Sequence, residues 1–168
     1  MPSPIGHAPF PTNFSLLSFL IVDDQPFSRR LVRSMLQGFG SREVYESANG
    51  VEAYELARAA MPSMIITDLV MPIFDGMRFI KMVKEPQSPA YNIPIIVLSG
   101  YLTKAAALMV KDAGAEELLV KPVSPKALYE HIARIVWRQK QASTPALPEN
   151  QTKDAEQKRK KTGGLALV

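Results

Sequence analysis

From Ser18 onward, short apolar runs alternate with stretches of helical spacing. The runs cover residues 19–22, 43–46, 64–67, 93–98 and 118–120. Three of them are almost continuously apolar, as expected for parallel strands covered on both faces. The second, with Glu43 and Glu46 at its ends, fits a sheet edge. Between the runs, Leu31, Met35, Leu36 and Phe39 recur at three-to-four-residue intervals after Pro26. Val51, Tyr54, Leu56 and Ala57 follow the Asn49-Gly50 turn, and Phe79, Ile80 and Val83 follow Asp75-Gly76. A fourth helix is predicted over 103–113, ending at Gly114, where a left-handed residue can close it. The fifth starts with Ser124 as N-cap and Pro125 at its first position, and should bury Leu128, Ile132, Ile135 and Val136. Five strand–helix repeats with right-handed crossovers give an α/β fold, a doubly wound five-stranded parallel sheet with five helices.

The ends of the chain lack this pattern. Residues 1–17, with Pro2, Pro4, Pro9 and Pro11, are expected to form a disordered N-terminal arm, and 139–168 a disordered C-terminal tail. The folded domain is then 18–138. The chain has 168 residues with 20 Lys and Arg against 16 Asp and Glu, and the tail, with 6 basic and 3 acidic residues, carries most of the excess. Four of its basic residues form the run 158–161, which reads as a solvated charge cluster. Specific nucleic-acid binding is not expected of it. The tail is also too short and too polar to make an output domain of its own. There is no cysteine, which removes disulfide scaffolds, cysteine-ligated metals and thiol catalysis. The apolar run at 14–22 has neither a basic leader nor a cleavage site, and no stretch approaches the roughly 20 residues that span a bilayer. A soluble, cytoplasmic protein with no membrane partner is expected.

Ligands of open parallel sheets bind beyond the carboxyl ends of the strands, so the residues that follow each run are the candidates for chemistry. They are Asp23 and Asp24, Asp68, Ser99 and Lys121. Each alone has an ordinary reading: a strand exit or helix cap for the aspartates, a turn for Ser99-Gly100, a solvated loop for Lys121-Pro122. Coincidence in four strands is a poorer account of them together. Three carboxylates at one point repel one another and call for a cation, and hard oxygen ligands with positions left for water and phosphate suit Mg2+. A lysine there supplies a point charge for an anion, and a hydroxyl a hydrogen bond.

On these residues the chain resembles the receiver domains of two-component response regulators, the stand-alone chemotaxis-regulator (CheY-like) type most of all. The matching text is Leu20-Ile-Val-Asp-Asp24, Ser28-Arg-Arg-Leu-Val-Arg33, Asp68-Leu-Val-Met-Pro72 with Asp75-Gly76, Val97-Leu-Ser-Gly100 and Leu119-Val-Lys-Pro122. Asp24, Asp68, Ser99 and Lys121 are separated by 44, 31 and 22 residues, as in that family. The resemblance covers residues 18–138 and implies a flavodoxin-like (βα)5 fold with strand order 2-1-3-4-5. It further implies Asp68 as phosphoacceptor and Mg2+ held by Asp24, by Asp23 partly through water, by Asp68 and by the Val70 backbone carbonyl. Lys121 would pair with the phosphoryl group, Ser99 would swing to hydrogen-bond it, and a cis peptide before Pro122 would aim the lysine. The donor would be a sensor histidine kinase or histidine phosphotransfer protein. The downstream target, a partner protein, would bind the face of the fourth helix, fifth strand and fifth helix. The protein would catalyse its own phosphorylation and dephosphorylation without being an enzyme in the ordinary sense.

Two departures fall on the switch. Leu118 stands where receivers commonly carry a mobile aromatic, and Gly100 where alanine is frequent, with Tyr101 next. Tyr101 covers the phosphorylation site or substitutes as the mobile aromatic, or else is simply a half-exposed loop residue. Val70 puts an apolar side chain where a polar one could orient water, so slow hydrolysis is expected. His131 reads as a packed or half-exposed helix residue. Competing readings are a degenerate receiver that binds partners constitutively and an aspartate-nucleophile phosphohydrolase. The latter wants a second aspartate at position 70.

Overall fold

The computed structural model describes residues 12–72, 75–101 and 103–143. Five strands, β1 (Ser18–Val22), β2 (Glu43–Ser47), β3 (Met64–Asp68), β4 (Ile95–Ser99) and β5 (Glu117–Val120), form one parallel sheet in the order β2-β1-β3-β4-β5. This is the doubly wound order that the family resemblance implies, with the polar second strand at an edge. Five helices connect or follow the strands: α1 (Pro26–Gly38), α2 (Gly50–Ala60), α3 (Gly76–Val83), α4 (Lys104–Asp112) and α5 (Pro125–Ser143). Among the described residues no helix is long and apolar enough to cross a membrane.

Alternate residues of each inner strand feed opposite faces of the sheet. Leu20, Val22, Ile65, Ile95 and Val97 pack with Ala53 and Ala57 of α2, Phe79, Ile80 and Val83 of α3, and Val110 of α4. Phe19, Ile21, Met64, Ile66, Ile96 and Leu98 pack with Val32 and Leu36 of α1 and Leu128, Ile132 and Ile135 of α5. Burial on both sides is why β1, β3 and β4 contain almost no polar residue before their carboxyl ends. Asn49, Asp75, Thr103 and Ser124 accept the N–H groups of Glu52, Arg78, Ala106 and Ala127, so four helix starts are fixed by side chains. Pro125 opens α5 and Pro26 opens α1. Gly114 takes a left-handed φ of 98° just past α4.

Several expectations need correction. Leu31 and Val51 are exposed, because the buried stripes run through Val32 and Leu36 in α1 and through Ala53 and Ala57 in α2. The small alanines let α2 lie close to the sheet. Val136 is only half-buried. Ile93 and Pro94 precede β4, whereas Asp68 and Ser99 are the last residues within β3 and β4. The ordered domain begins before Ser18: Phe14, in a single 3-10 turn (Phe14–Leu16), is 2% exposed and packs against the rings of Phe19, Phe39 and Tyr129. Helix α5 continues to Ser143, five residues past Arg138. The chain divides into two units, Met1–Trp137 and Arg138–Val168. The expectations for residues 1–11 and 144–168 lie outside the described residues.

At the sheet edge, Glu46 is held by the guanidinium groups of Arg29 and Arg33, and Arg33 also donates to the Val44 carbonyl at 2.8 Å. Burial works against the Glu46 charge, but the two arginines outweigh it and hold the carboxyl below its ordinary value of 4.5. A lowered carboxyl pKa stabilises the fold above the unfolded value, and that contribution is lost as pH falls through the folded one. Glu46→Gln is therefore expected to cost on the order of 1 kcal/mol at neutral pH. Urea unfolding of both proteins should give midpoints that converge on acidification below about pH 4.5.

Candidate functional site

Parallel register aligns the carboxyl ends of the strands. Asp68 lies opposite Leu98, Ser99 opposite Val120, and Val22 of β1 pairs with Thr67. The residues that follow each apolar run therefore meet at one edge. The Lys121 ammonium lies 2.9 Å from Oδ2 of Asp23 and 3.0 Å from Oδ2 of Asp68, bridging two buried carboxylates, one just after β1 and one at the end of β3. Partial burial disfavours the charged lysine, but hydrogen bonds and attraction from Asp23 and Asp68 dominate and raise its pKa above the ordinary lysine value. The lysine stays charged, a fixed cation aimed into the acidic corner. The Lys121-Pro122 peptide is cis.

Asp23 is fully engaged. It is 2% exposed. Its Oδ1 accepts from the Gln25 N–H at 2.8 Å, and Oδ2 accepts from the Ser28 hydroxyl at 2.5 Å as well as from Lys121. Its backbone carbonyl accepts from Arg29 Nη1 at 2.6 Å, and its N–H donates to Ser47. Asp24 is the opposite case, with a buried Oδ1 that has no hydrogen-bond partner. One oxygen from each of Asp23, Asp24 and Asp68 lies within 4.8 Å of the others. Three carboxylates, one of them with an orphaned buried oxygen, fit a hard divalent cation such as Mg2+.

Asp68 is held through both its main chain and its carboxylate. Thr67 Oγ1 donates to the Asp68 carbonyl at 3.0 Å, and Oδ1 of Asp68 accepts from the Val70 N–H at 3.3 Å. A Cβ on Gly76 would fall on that same carbonyl oxygen, so only glycine lets the start of α3 sit against the end of β3. The Val70 side chain is 68% exposed.

Ser99 reaches the same edge but turns its hydroxyl to its own loop. Oγ donates to the Tyr101 carbonyl at 2.9 Å and accepts from the Tyr101 N–H at 3.2 Å. The Tyr101 side chain is 78% exposed and does not cover Asp68 in this conformation. Gly100 stands in open space with ordinary backbone geometry. Leu118 is partly buried and packs against the helix α2–α4 side of the core. His131 on α5 lies 2.9 Å from Glu117 of β5 through Nδ1, a structural contact away from the acidic corner.

Sequence reasoning did not single out Ser28, Arg29, Thr67 or Gly76 as site residues. Ser28 and Arg29 act through the first turn of α1, reaching back five and six residues to Asp23. The stretch Ser28–Arg33 is part of the family resemblance, but residue pattern does not show that the Ser28 and Arg29 side chains return to Asp23. The Asp75-Gly76 pair was legible as a turn, but not the contact that requires its glycine.

Residues 19–133 match the response regulator receiver domain family, and the chain belongs to that family. It is 34% identical over 117 residues to the chemotaxis protein CheY1 of Helicobacter pylori, covering 69% of this chain and 94% of that one. To the response regulator Rre1 of Synechocystis sp. it is 30% identical over 130 residues, 77% of this chain and 55% of Rre1, so it spans about half the length of that relative. Among solved structures, the chemotaxis protein CheY4 of Vibrio cholerae is similar with a TM-score of 0.66 and 34% identity, covering 71% of this chain and 98% of that one. Receiver domains are signalling modules of two-component systems that interact with histidine kinases or phosphotransfer proteins.

Proposed function

We propose that this chain is a cytoplasmic response regulator receiver. It takes a phosphoryl group onto Asp68 from a phosphohistidine of a sensor kinase or phosphotransfer protein, and signals by phosphorylation-dependent protein contacts. The observation that carries the reading is the Lys121 ammonium bridging Asp23 and Asp68 beside the unpartnered oxygen of Asp24. A carboxylate attacks phosphorus when its charge is screened. An Asp68 carboxylate oxygen forms the new bond to phosphorus as the bond from phosphorus to the donor imidazole nitrogen breaks. Lys121 pairs with the transferred oxygens, a charge-assisted contact worth most where water is excluded. Asp23, Asp24, Asp68 and the Val70 carbonyl would hold Mg2+, which would supply charge neutralisation for donor and acceptor.

For readout, Ser99 must release the Tyr101 backbone before its hydroxyl can turn to the phosphoryl group. That would loosen the loop that leads to the Thr103 cap of α4, and the face of α4, β5 and α5 would meet the target protein. Leu118, already packed, cannot report the change by swinging as an aromatic would. Hydrolysis resets the switch. With an exposed apolar side chain at position 70, no side chain there orients water, and Val70→Asn is expected to speed dephosphorylation several-fold, up to about tenfold, as for a modest gain in nucleophile positioning. Decay of labelled protein measures this; an unchanged or slower decay would contradict it.

The reading is tested by incubating the full chain with Mg2+ and acetyl phosphate, with Asp68→Asn alongside. The expected result is acid-labile phosphate on the wild type and none on the variant. Absence of phosphate on the wild type, or equal incorporation in both, would overturn it.

A further inference from the structure

We propose that Ser28 is a positioning residue for the reaction at Asp68: its hydroxyl keeps Oδ2 of Asp23 satisfied while the Lys121 ammonium leaves that oxygen for the phosphoryl group. The proposal rests on the reading of Asp68 as phosphoacceptor. Oδ2 of Asp23 has two donors, Ser28 Oγ at 2.5 Å and Lys121 Nζ at 2.9 Å. Lys121 is shared with Asp68 at 3.0 Å, so it is the donor that must move when Asp68 reacts. Asp23 cannot follow it. Its N–H, its carbonyl and Oδ1 are tied to Ser47, Arg29 and Gln25.

A buried carboxylate oxygen stripped of its last donor costs far more than the mean worth of a hydrogen bond. At a residue 2% exposed, water cannot readily take the place of the lysine. With alanine at position 28, Lys121 would be the remaining side-chain donor to Oδ2 and would be held there more tightly. With serine, the oxygen keeps a partner throughout. A hydroxyl is also neutral, so it holds Asp23 without adding a second cation that would compete for the phosphoryl group. The placement follows from local sequence: Pro26 opens α1, and Ser28, in its first turn, faces back toward Asp23.

The test compares full-length wild type, Ser28→Ala and Ser28→Thr without divalent metal. Each is treated with an amine-acylating reagent, and mass spectrometry follows labelling of Lys121 against the exposed Lys126. Ser28→Ala is expected to slow labelling of Lys121 at least about tenfold, the lower end for one hydrogen bond to a charged group, with Lys126 unaffected. Ser28→Thr, which keeps the hydroxyl, should return the rate to within about twofold of wild type. Unchanged or faster labelling of Lys121 in Ser28→Ala would overturn the proposal, since a purely structural role predicts a looser site. Phosphorylation by acetyl phosphate should slow in the same order. Failure of the wild type to take phosphate would contradict the acceptor reading, while the metal-free labelling still decides whether Ser28 governs release of the lysine.

Discussion

Lys121→Ala is expected to lower the rate of phosphorylation by acetyl phosphate by about 10²–10³, the range for loss of one preorganised charge at a developing anion. Two buried carboxylates share this ammonium, and Asp68 is the proposed nucleophile. Without the lysine, the incoming phosphoryl oxygens meet an acidic corner with no protein cation bridging it. Extra Mg2+ should restore little of the rate, because a cation held by the carboxylates cannot also occupy the place of Nζ. Lys121→Arg is expected to remain impaired: it keeps the charge but replaces a compact ammonium by a planar fork. Time courses of phosphate incorporation at several Mg2+ concentrations measure this. Near wild-type rates for Lys121→Ala would remove the lysine from the mechanism.

Gly76→Ala should be among the most damaging single-methyl changes in the molecule. Its Cβ would fall on the Asp68 carbonyl oxygen and lie 2.9 Å from Leu69 Cα, so the atoms that must yield are backbone. Overpacking of this kind costs about 3 kcal/mol or more. The backbone concerned is that of the proposed acceptor, and a displacement near 1 Å costs on the order of a hundredfold in rate. Gly100→Ala is the matched control. Nothing lies within 4 Å of a Cβ there, and the change should alter stability by less than about 0.5 kcal/mol. Urea midpoints and phosphorylation rates of the two variants give the contrast; equal stability of Gly76→Ala and wild type would refute the close approach.

The fold was legible because each inner strand is buried on both faces and so is written as an uninterrupted apolar run that ends at a polar residue. That same ending marked Asp23, Asp24, Asp68 and Ser99, and the short apolar run of the edge strand β5 marked Lys121, since parallel strands deliver their carboxyl ends to one side. What escaped depends on phase and distance. Leu31 and Val32 are neighbours in sequence, and only packing decides which of them faces the sheet. Phe14 stands in a proline-rich arm, and its burial comes from Phe39 and Tyr129 far along the chain. Ser28 follows an exposed phenylalanine and has the composition of a solvent-facing helix turn, yet its hydroxyl returns to Asp23. The state of Ser99, bonded to the Tyr101 backbone, is a rotamer choice that residue order does not record.

The central claim is that Asp68 accepts the phosphoryl group. An acyl phosphate is reduced by borohydride to an alcohol, which turns a phosphorylated aspartate into homoserine. Peptide mass spectrometry of the full chain, phosphorylated with Mg2+ and then reduced, should find homoserine at position 68 and nowhere else, and none when Mg2+ is omitted. An unmodified Asp68 in a sample that carries phosphate would contradict the account.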